Sequence, residues 1–198
     1  TRIGSPYVIA AMNEAIAAGK KAVVSWEVNG GFLTGTDFAI GGNTLKALPT
    51  RDAALPILCA LLAANEQGIF VSELFKRLPP RYNQAGLLKN FLRETGQKII
   101  GRLSPPKDSR IVQVDFEAES VRVTDDAGVT RLLDAKDTLT SLMLQIKAKL
   151  EEYFSSQLGF SPIVRINYLD GVKITFANGD ISYLRPSGNA DEFRNYSL

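Results

Sequence analysis

The chain contains no histidine and a single cysteine in 198 residues. Without His, no Ser-His-Asp triad and no His-ligated metal centre can form. With one Cys, neither an internal disulfide nor a Cys-rich zinc site is possible. Cys59 lies in an apolar run and is expected to be a core residue rather than a nucleophile. No apolar run approaches the ~20 residues needed to cross a bilayer. Charge of one sign is also missing: 23 Lys and Arg oppose 21 Asp and Glu, a formal net charge of +2. So small an excess gives no broad attraction to nucleic acid or membrane, and any positive potential must be local. No internal repeat and no low-complexity tract is found. A chain without a disulfide or a signal peptide is expected in the cytoplasm. Carboxylates, Lys, Arg and hydroxyls are left to carry any chemistry.

What is present is ordinary for a globular protein of one or two domains, with 45% hydrophobic and 22% charged residues. Pro79-Pro80 forbids helix continuation and stiffens a short link, which places a domain boundary between 1–80 and 81–198. In the first part, Ser5-Pro6 opens a helix with Ser5 as the expected cap and Gly19 as its stop. Ala22 to Trp26 reads as a buried strand of an α/β layer. Asp52 is the expected cap of a helix that runs from Ala53 to Ala64 with Pro56 in its first turn. That helix is apolar nearly all round and is therefore expected in the core. A shorter helix, Val71 to Leu78, is expected to be capped by Ser72. In the second part, an extended segment spans 81–90 and a helix surrounds Glu94 to Leu103. Ile111 to Phe116 and Ser120 to Thr124 read as strands. Leu139, Leu142, Met143, Ile146, Leu150 and Tyr153 recur at helical spacing and predict a helix over 137–154 with one face on a sheet. From Ile163 the apolar residues alternate. Asp170-Gly171 and Asn178-Gly179 mark two hairpin turns, and a third strand, Ile181 to Leu184, leads into the C-terminal loop.

Two loops carry recognition chemistry. Arg185-Pro186-Ser187-Gly188-Asn189-Ala190-Asp191-Glu192-Phe193-Arg194 combines two planar guanidinium forks with a hydroxyl, an amide and a glycine. Arg binds paired phosphate oxygens bidentately. Ser187 and Asn189 donate further hydrogen bonds, and Gly188 lets main-chain N–H groups approach a ligand. The same residues also make a plain polar turn. Trp26-Glu27-Val28-Asn29-Gly30-Gly31-Phe32 follows its strand. Glu27 can accept from two sugar hydroxyls, Asn29 can donate and accept, and Gly30 clears room for a ring. A hairpin turn is the alternative, and the two readings are compatible. Arg51 and Asp52 are weaker candidates for the same cleft.

The first loop resembles the phosphate-binding loop of the alpha-D-phosphohexomutases, the phosphomannomutase and phosphoglucomutase family, whose usual form is Arg-Pro-Ser-Gly-Thr-Glu-Pro with an Arg a few residues on. The second is similar to the family's Gly-Glu-x-Ser-Gly sugar loop, with Asn29 in place of Ser. Thr1 to Ile9 resembles the segment that precedes this loop in the third of four domains. Where some members carry His, this chain has Ser5 and Gly31. The segment 117–161 resembles the family least and reads as an insertion.

The resemblance implies the C-terminal part of such an enzyme: a partial three-layer α/β/α domain over 1–80, then a mainly antiparallel α+β domain, TATA-box-binding-protein-like, over 81–198. It implies reversible conversion of a hexose 6-phosphate to the 1-phosphate through a phosphoserine and a bisphosphate intermediate. Mannose is the expected sugar, with phosphoglucomutase and phosphoglucosamine mutase left open. Glu27, Asn29 and Gly30 would read the sugar. Arg185, Ser187, Gly188, Asn189 and Arg194 would hold the phosphate. The family's catalytic Ser loop and its Asp-Gly-Asp-x-Asp-Arg Mg²⁺ loop do not occur here. The chain is therefore expected to hold no catalytic or metal residue, to be inactive alone, and to rely on the missing N-terminal domains for Mg²⁺. A noncatalytic sugar-phosphate module and an interaction domain with ordinary turns are the other readings.

Overall fold

The computed structural model describes residues 2, 4–27, 30–80, 82–187 and 190–197. The chain divides into two compact units, Thr1–Pro80 and Arg81–Leu198. Helices mix with sheets paired antiparallel throughout the described residues, as the α+β class requires.

The first unit begins with α1 (Ser5–Ala17), with Pro6 in its first turn. The cap position is Gly4, not Ser5, and no side chain caps this end. The Ser5 hydroxyl donates instead to Glu27. β1 (Val24–Trp26) forms a hairpin with β2 (Phe32–Thr34). A second hairpin joins β3 (Phe38–Ile40) to β4 (Asn43–Leu45), and β5 (Leu48–Asp52) completes a three-stranded sheet in the order β1-β2-β5. Only Leu33 and Thr34 of these strands are buried, with Met12 of α1. β1, expected to be buried, is open on one face: Trp26 is 70% exposed. A strand needs layers on both sides to be buried twice, and here α1 supplies one.

α2 (Ala54–Glu66) starts where expected. The Asp52 carboxylate accepts from the backbone N–H groups of Ala54 and Leu55 at 2.8 and 3.4 Å and so caps the helix from two residues upstream. Its expected burial is not found. Ile57, Leu58, Leu61 and Leu62 are each at least half exposed, Cys59 is exposed, and Ala64 alone is buried. An apolar helix is buried only if another layer packs on it, and among the described residues no layer covers this face. The double substitution Leu58→Lys, Leu62→Lys is therefore expected to change the stability of this chain by no more than about 0.5 kcal/mol, as at other surface sites. Urea unfolding monitored by circular dichroism checks it; a loss of several kcal/mol would place these residues in a packed core. α3 (Val71–Lys76) ends the unit. Its cap position is Phe70, and Glu73, not Ser72, closes its first turn by accepting from the Phe70 N–H at 3.2 Å.

The second unit is one eight-stranded antiparallel sheet in the order β6-β13-β12-β11-β10-β7-β8-β9. In chain order its elements are β6 (Gln84–Lys89), α4 (Arg93–Arg102), β7 (Ile111–Phe116), β8 (Val121–Asp125), β9 (Thr130–Leu133), α5 (Thr138–Tyr153), β10 (Ile163–Asn167), β11 (Val172–Phe176), β12 (Ile181–Pro186) and β13 (Glu192–Ser197). The Asp137 side chain caps α5 by accepting from the Leu139 N–H at 2.8 Å. Met143, Ile146 and Leu150 of α5 lie on Val114, Val121, Val123, Ile166, Val172, Ile174 and Phe176 of the sheet. Phe176 stacks with Phe154 and Phe160 at centroid distances of 5.6 and 5.3 Å. Tyr153 departs from the expected stripe and is 68% exposed, because it lies at the last turn of α5, past the edge of this cluster. The segment 117–161 supplies β8, β9 and α5, so it builds the core of this unit rather than decorating it.

The opposite face of the same sheet is polar. Cross-strand partners share a face, and the registers Asn167↔Lys173, Lys173↔Tyr183, Tyr183↔Tyr196 and Arg185↔Arg194 put these residues together away from α5.

Candidate functional site

The two loops singled out in the sequence lie in different units and are described separately. Asn29, Gly188 and Asn189, three of the expected ligand residues, fall outside the described residues.

Glu27 ends the β1 arm of the first hairpin. Its backbone N–H donates to Gly31 O at 2.8 Å, and Gly30 N–H donates to Glu27 O at 2.9 Å. The hairpin is thus present. The Glu27 side chain is only 6% exposed. Its Oε1 accepts from the Ser5 hydroxyl at 2.6 Å and faces Arg51 Nε at 3.4 Å. A buried carboxylate held in this way keeps a fixed direction. The space beside Gly30 is open: a methyl group built there would meet no atom within 4 Å. Ser5 was read from the sequence as a helix cap and as the residue that stands where some phosphohexomutases carry His, not as a partner of Glu27. Its spacing of 22 residues from Glu27 gives no local signal that the two meet.

The second loop joins β12 to β13. Arg185 and Arg194 are direct cross-strand partners, so two guanidinium groups start from opposite positions on one face. Like charges placed in this way destabilise a sheet unless something offsets them. Here each has a carboxylate. Arg185 Nη2 lies 3.5 Å from Asp170 Oδ2, and Arg194 donates through Nη2 and Nε to Glu192 Oε2 at 2.8 and 3.3 Å. Glu192 first, and then a hydrogen bond with Tyr196, hold the Arg194 guanidinium above its ordinary pKa, so it stays charged.

The two arginines differ in what they have left. Arg194 is 37% exposed and uses two donors on one oxygen. Arg185 is 14% exposed, its ion pair with Asp170 is long, and among the described residues its buried Nε has no hydrogen-bond partner. A buried guanidinium N–H without an acceptor is costly. It is the donor a bound anion oxygen would satisfy. Ser187 is nearly fully buried, and its backbone N–H donates to Glu192 O at 2.8 Å, which pins the loop entry to its exit. Asp191 ties the loop to α4: its carbonyl accepts from Phe91 N–H at 3.0 Å and its carboxylate from Arg93 N–H at 3.3 Å. Gly96 of α4 allows that approach, since a Cβ there would sit 3.0 Å from the Phe193 ring and 3.2 Å from Pro186. Asp170, Glu192 and Tyr196 were not legible as partners of these arginines. Asp170 read only as a turn residue, and strand β13, which carries the others, was not expected.

Among the described residues no group of three or more Asp, Glu or Cys side chains converges as a metal-ligand set. Among them, too, no helix is long and apolar enough to cross a membrane.

The fold is of the mixed α+β class that the phosphohexomutase resemblance implies, with Arg185 and Arg194 paired across β12 and β13. The comparison with known proteins agrees. The chain is 35% identical to a phosphomannomutase of Sinorhizobium fredii over 99% of its own length, and 34% identical to one of Salmonella muenchen over 100%. The similarity to these two phosphomannomutases thus runs along nearly the whole chain. It spans about a third of the length of either relative, 32% in each case. No protein-family model matches the chain.

Proposed function

We propose that the chain is the C-terminal sugar- and phosphate-binding part of a phosphomannomutase-like phosphohexomutase. The unit 1–80 corresponds to a partial third domain and 81–198 to a fourth. One observation carries the reading: Arg185 and Arg194 stand opposite each other at the mouth of the Arg-Pro-Ser-Gly loop, and Arg185 keeps a buried Nε without an acceptor. Two guanidiniums on one face suit a dianionic phosphate. On this reading Arg185, Ser187, Gly188, Asn189 and Arg194 hold the phosphate that is not being transferred. Glu27, Asn29 and Gly30 read the sugar hydroxyls, with Ser5 and Arg51 keeping the Glu27 carboxylate in place. Hexose phosphate, as mannose or glucose 1- or 6-phosphate, is the ligand.

On this reading the phosphoserine and the Mg²⁺ loop would belong to parts of the enzyme that this chain does not span, where Mg²⁺ would assist phosphoryl transfer as a Lewis acid. The open apolar face of α2 supports a longer parent protein, because exposed patches of this kind are where further domains pack. The cytoplasm is the compartment that fits such an enzyme. By itself the chain is a sugar-phosphate binder and not a mutase. Titration with mannose 1-phosphate, followed by calorimetry, is expected to give saturable binding at millimolar ligand or below. A coupled mutase assay on the same preparation is expected to give no turnover. Absence of binding would leave the loops as ordinary turns, and turnover would show that catalytic groups were overlooked.

A further inference from the structure

Asp170 stands at the turn between β10 and β11, outside both loops. One ion pair and the geometry of the turn bring it to Arg185. Its carboxylate Oδ2 faces Arg185 Nη2 at 3.5 Å. Its backbone carbonyl accepts from the Tyr183 hydroxyl at 2.6 Å. Tyr183 and Arg185 are two residues apart on β12 and so lie on one face. The next turn residue, Gly171, is pressed onto the base of Arg185: a Cβ there would sit 3.0 Å from Arg185 Cβ and 2.5 Å from Leu184 O. The Tyr183 phenol is raised above its ordinary pKa by burial and then by the Asp170 charge, so it remains a donor to that carbonyl. Tyr183 also meets Tyr196 across the sheet at 6.2 Å between centroids.

We propose that Asp170, with Tyr183 as its anchor, is a positioning residue for phosphate binding: it holds the Arg185 guanidinium by one nitrogen so that the Nε–H stays directed at the ligand. This rests on the reading of Arg185 as a phosphate ligand. Physically, a guanidinium that is 14% exposed and opposite a second guanidinium would fold away toward solvent unless a charge fixed it. The ion pair at Nη2 does so without using Nε. The turn is fixed in its turn by the Tyr183 hydrogen bond, which ties Asp170 to the strand that bears Arg185. Outer partners of this kind commonly decide whether a binding group is pre-organised.

The test is a double-mutant cycle on the full chain with mannose 1-phosphate and inorganic phosphate as probes, read by calorimetry. Asp170→Asn is expected to weaken binding roughly tenfold, even though it removes a negative charge near the ligand. In an Arg185→Ala background it is expected to have no further effect. Tyr183→Phe, which keeps the carboxylate and frees the turn, is expected to cost about threefold and serves if Asp170→Asn does not fold. Unchanged or tighter binding by Asp170→Asn would make Asp170 a bystander or a competitor of the ligand and overturn the proposal, as would an equal loss in the Arg185→Ala background. If Arg185→Ala itself bound like the parent chain, the phosphate reading would fall, and the positioning role with it.

Discussion

Replacing Arg185 with alanine is expected to weaken mannose 1-phosphate binding by about 10- to 100-fold, since a charge-assisted hydrogen bond contributes about 1.5–3 kcal/mol. The same change at Arg194 is expected to cost less. The difference comes from what each guanidinium already does. Arg194 gives two donors to Glu192 at 2.8 and 3.3 Å, so a phosphate must share or displace that carboxylate. Among the described residues, Arg185 has an ion pair with Asp170 at 3.5 Å and a buried Nε with no acceptor. The ligand therefore meets less internal competition at Arg185. The double variant is expected to show no saturation at millimolar ligand. Calorimetry on the three variants checks the order, with circular dichroism confirming that each is folded. Equal affinity in the double variant and the parent chain would remove this loop from the binding site altogether.

Gly171→Ala is expected to destabilise the second unit by at least about 2–3 kcal/mol, through backbone strain combined with overpacking. Gly179→Ala in the neighbouring turn is expected to cost only about 1–2 kcal/mol. Both glycines have positive φ, +119° and +88°, so both substitutions carry conformational strain. They differ in room. A Cβ at Gly171 would stand 2.5 Å from the Leu184 carbonyl, a backbone atom that cannot swing aside, whereas nothing lies within 4 Å of one at Gly179. Relief at Gly171 requires β12 to shift, and β12 bears Arg185. Gly171→Ala should thus lower phosphate affinity as well as stability, while Gly179→Ala should lower stability alone. Denaturant unfolding and ligand titration on the pair separate the two effects. Similar losses for both would show that the contact of the turn with β12 is not as close as described.

The parts of this fold that were legible are those set by neighbours in the chain. Asp170-Gly171 and Asn178-Gly179, between alternating apolar residues, marked the β10-β11-β12 meander, and both hairpins are present. The spacing from Leu139 to Leu150 marked α5, and Asp137 marked its start. Pro79-Pro80 coincides with the division between the two units. The two loops stood out by residue type, because few combinations place Arg, Ser, Gly and Asn beside a second Arg, and their binding role stays a proposal.

What escaped depends on residues far apart. β13 lies between β12 and β6, which pairs residues 192–197 with 84–89, and no local pattern specifies a partner about a hundred residues away. The apolar composition of α2 suggested a core helix, but burial belongs to the surroundings, and Ile57, Leu58, Leu61 and Leu62 remain exposed. The occupancy of the arginines was hidden for the same reason. A 15-residue separation does not disclose that Asp170 meets Arg185, nor does a 22-residue separation disclose that Ser5 meets Glu27.

By itself the amino-acid sequence determined the helices, the hairpin turns and the similarity to phosphomannomutases, because apolar periodicity, turn signals and loop motifs are written in consecutive residues. Only the tertiary structure decided which strands adjoin and which apolar face is left open. It also set the two guanidiniums opposite each other, each with its carboxylate. Those outcomes follow from strand register and packing across the sheet, which bring together groups that the chain itself keeps far apart.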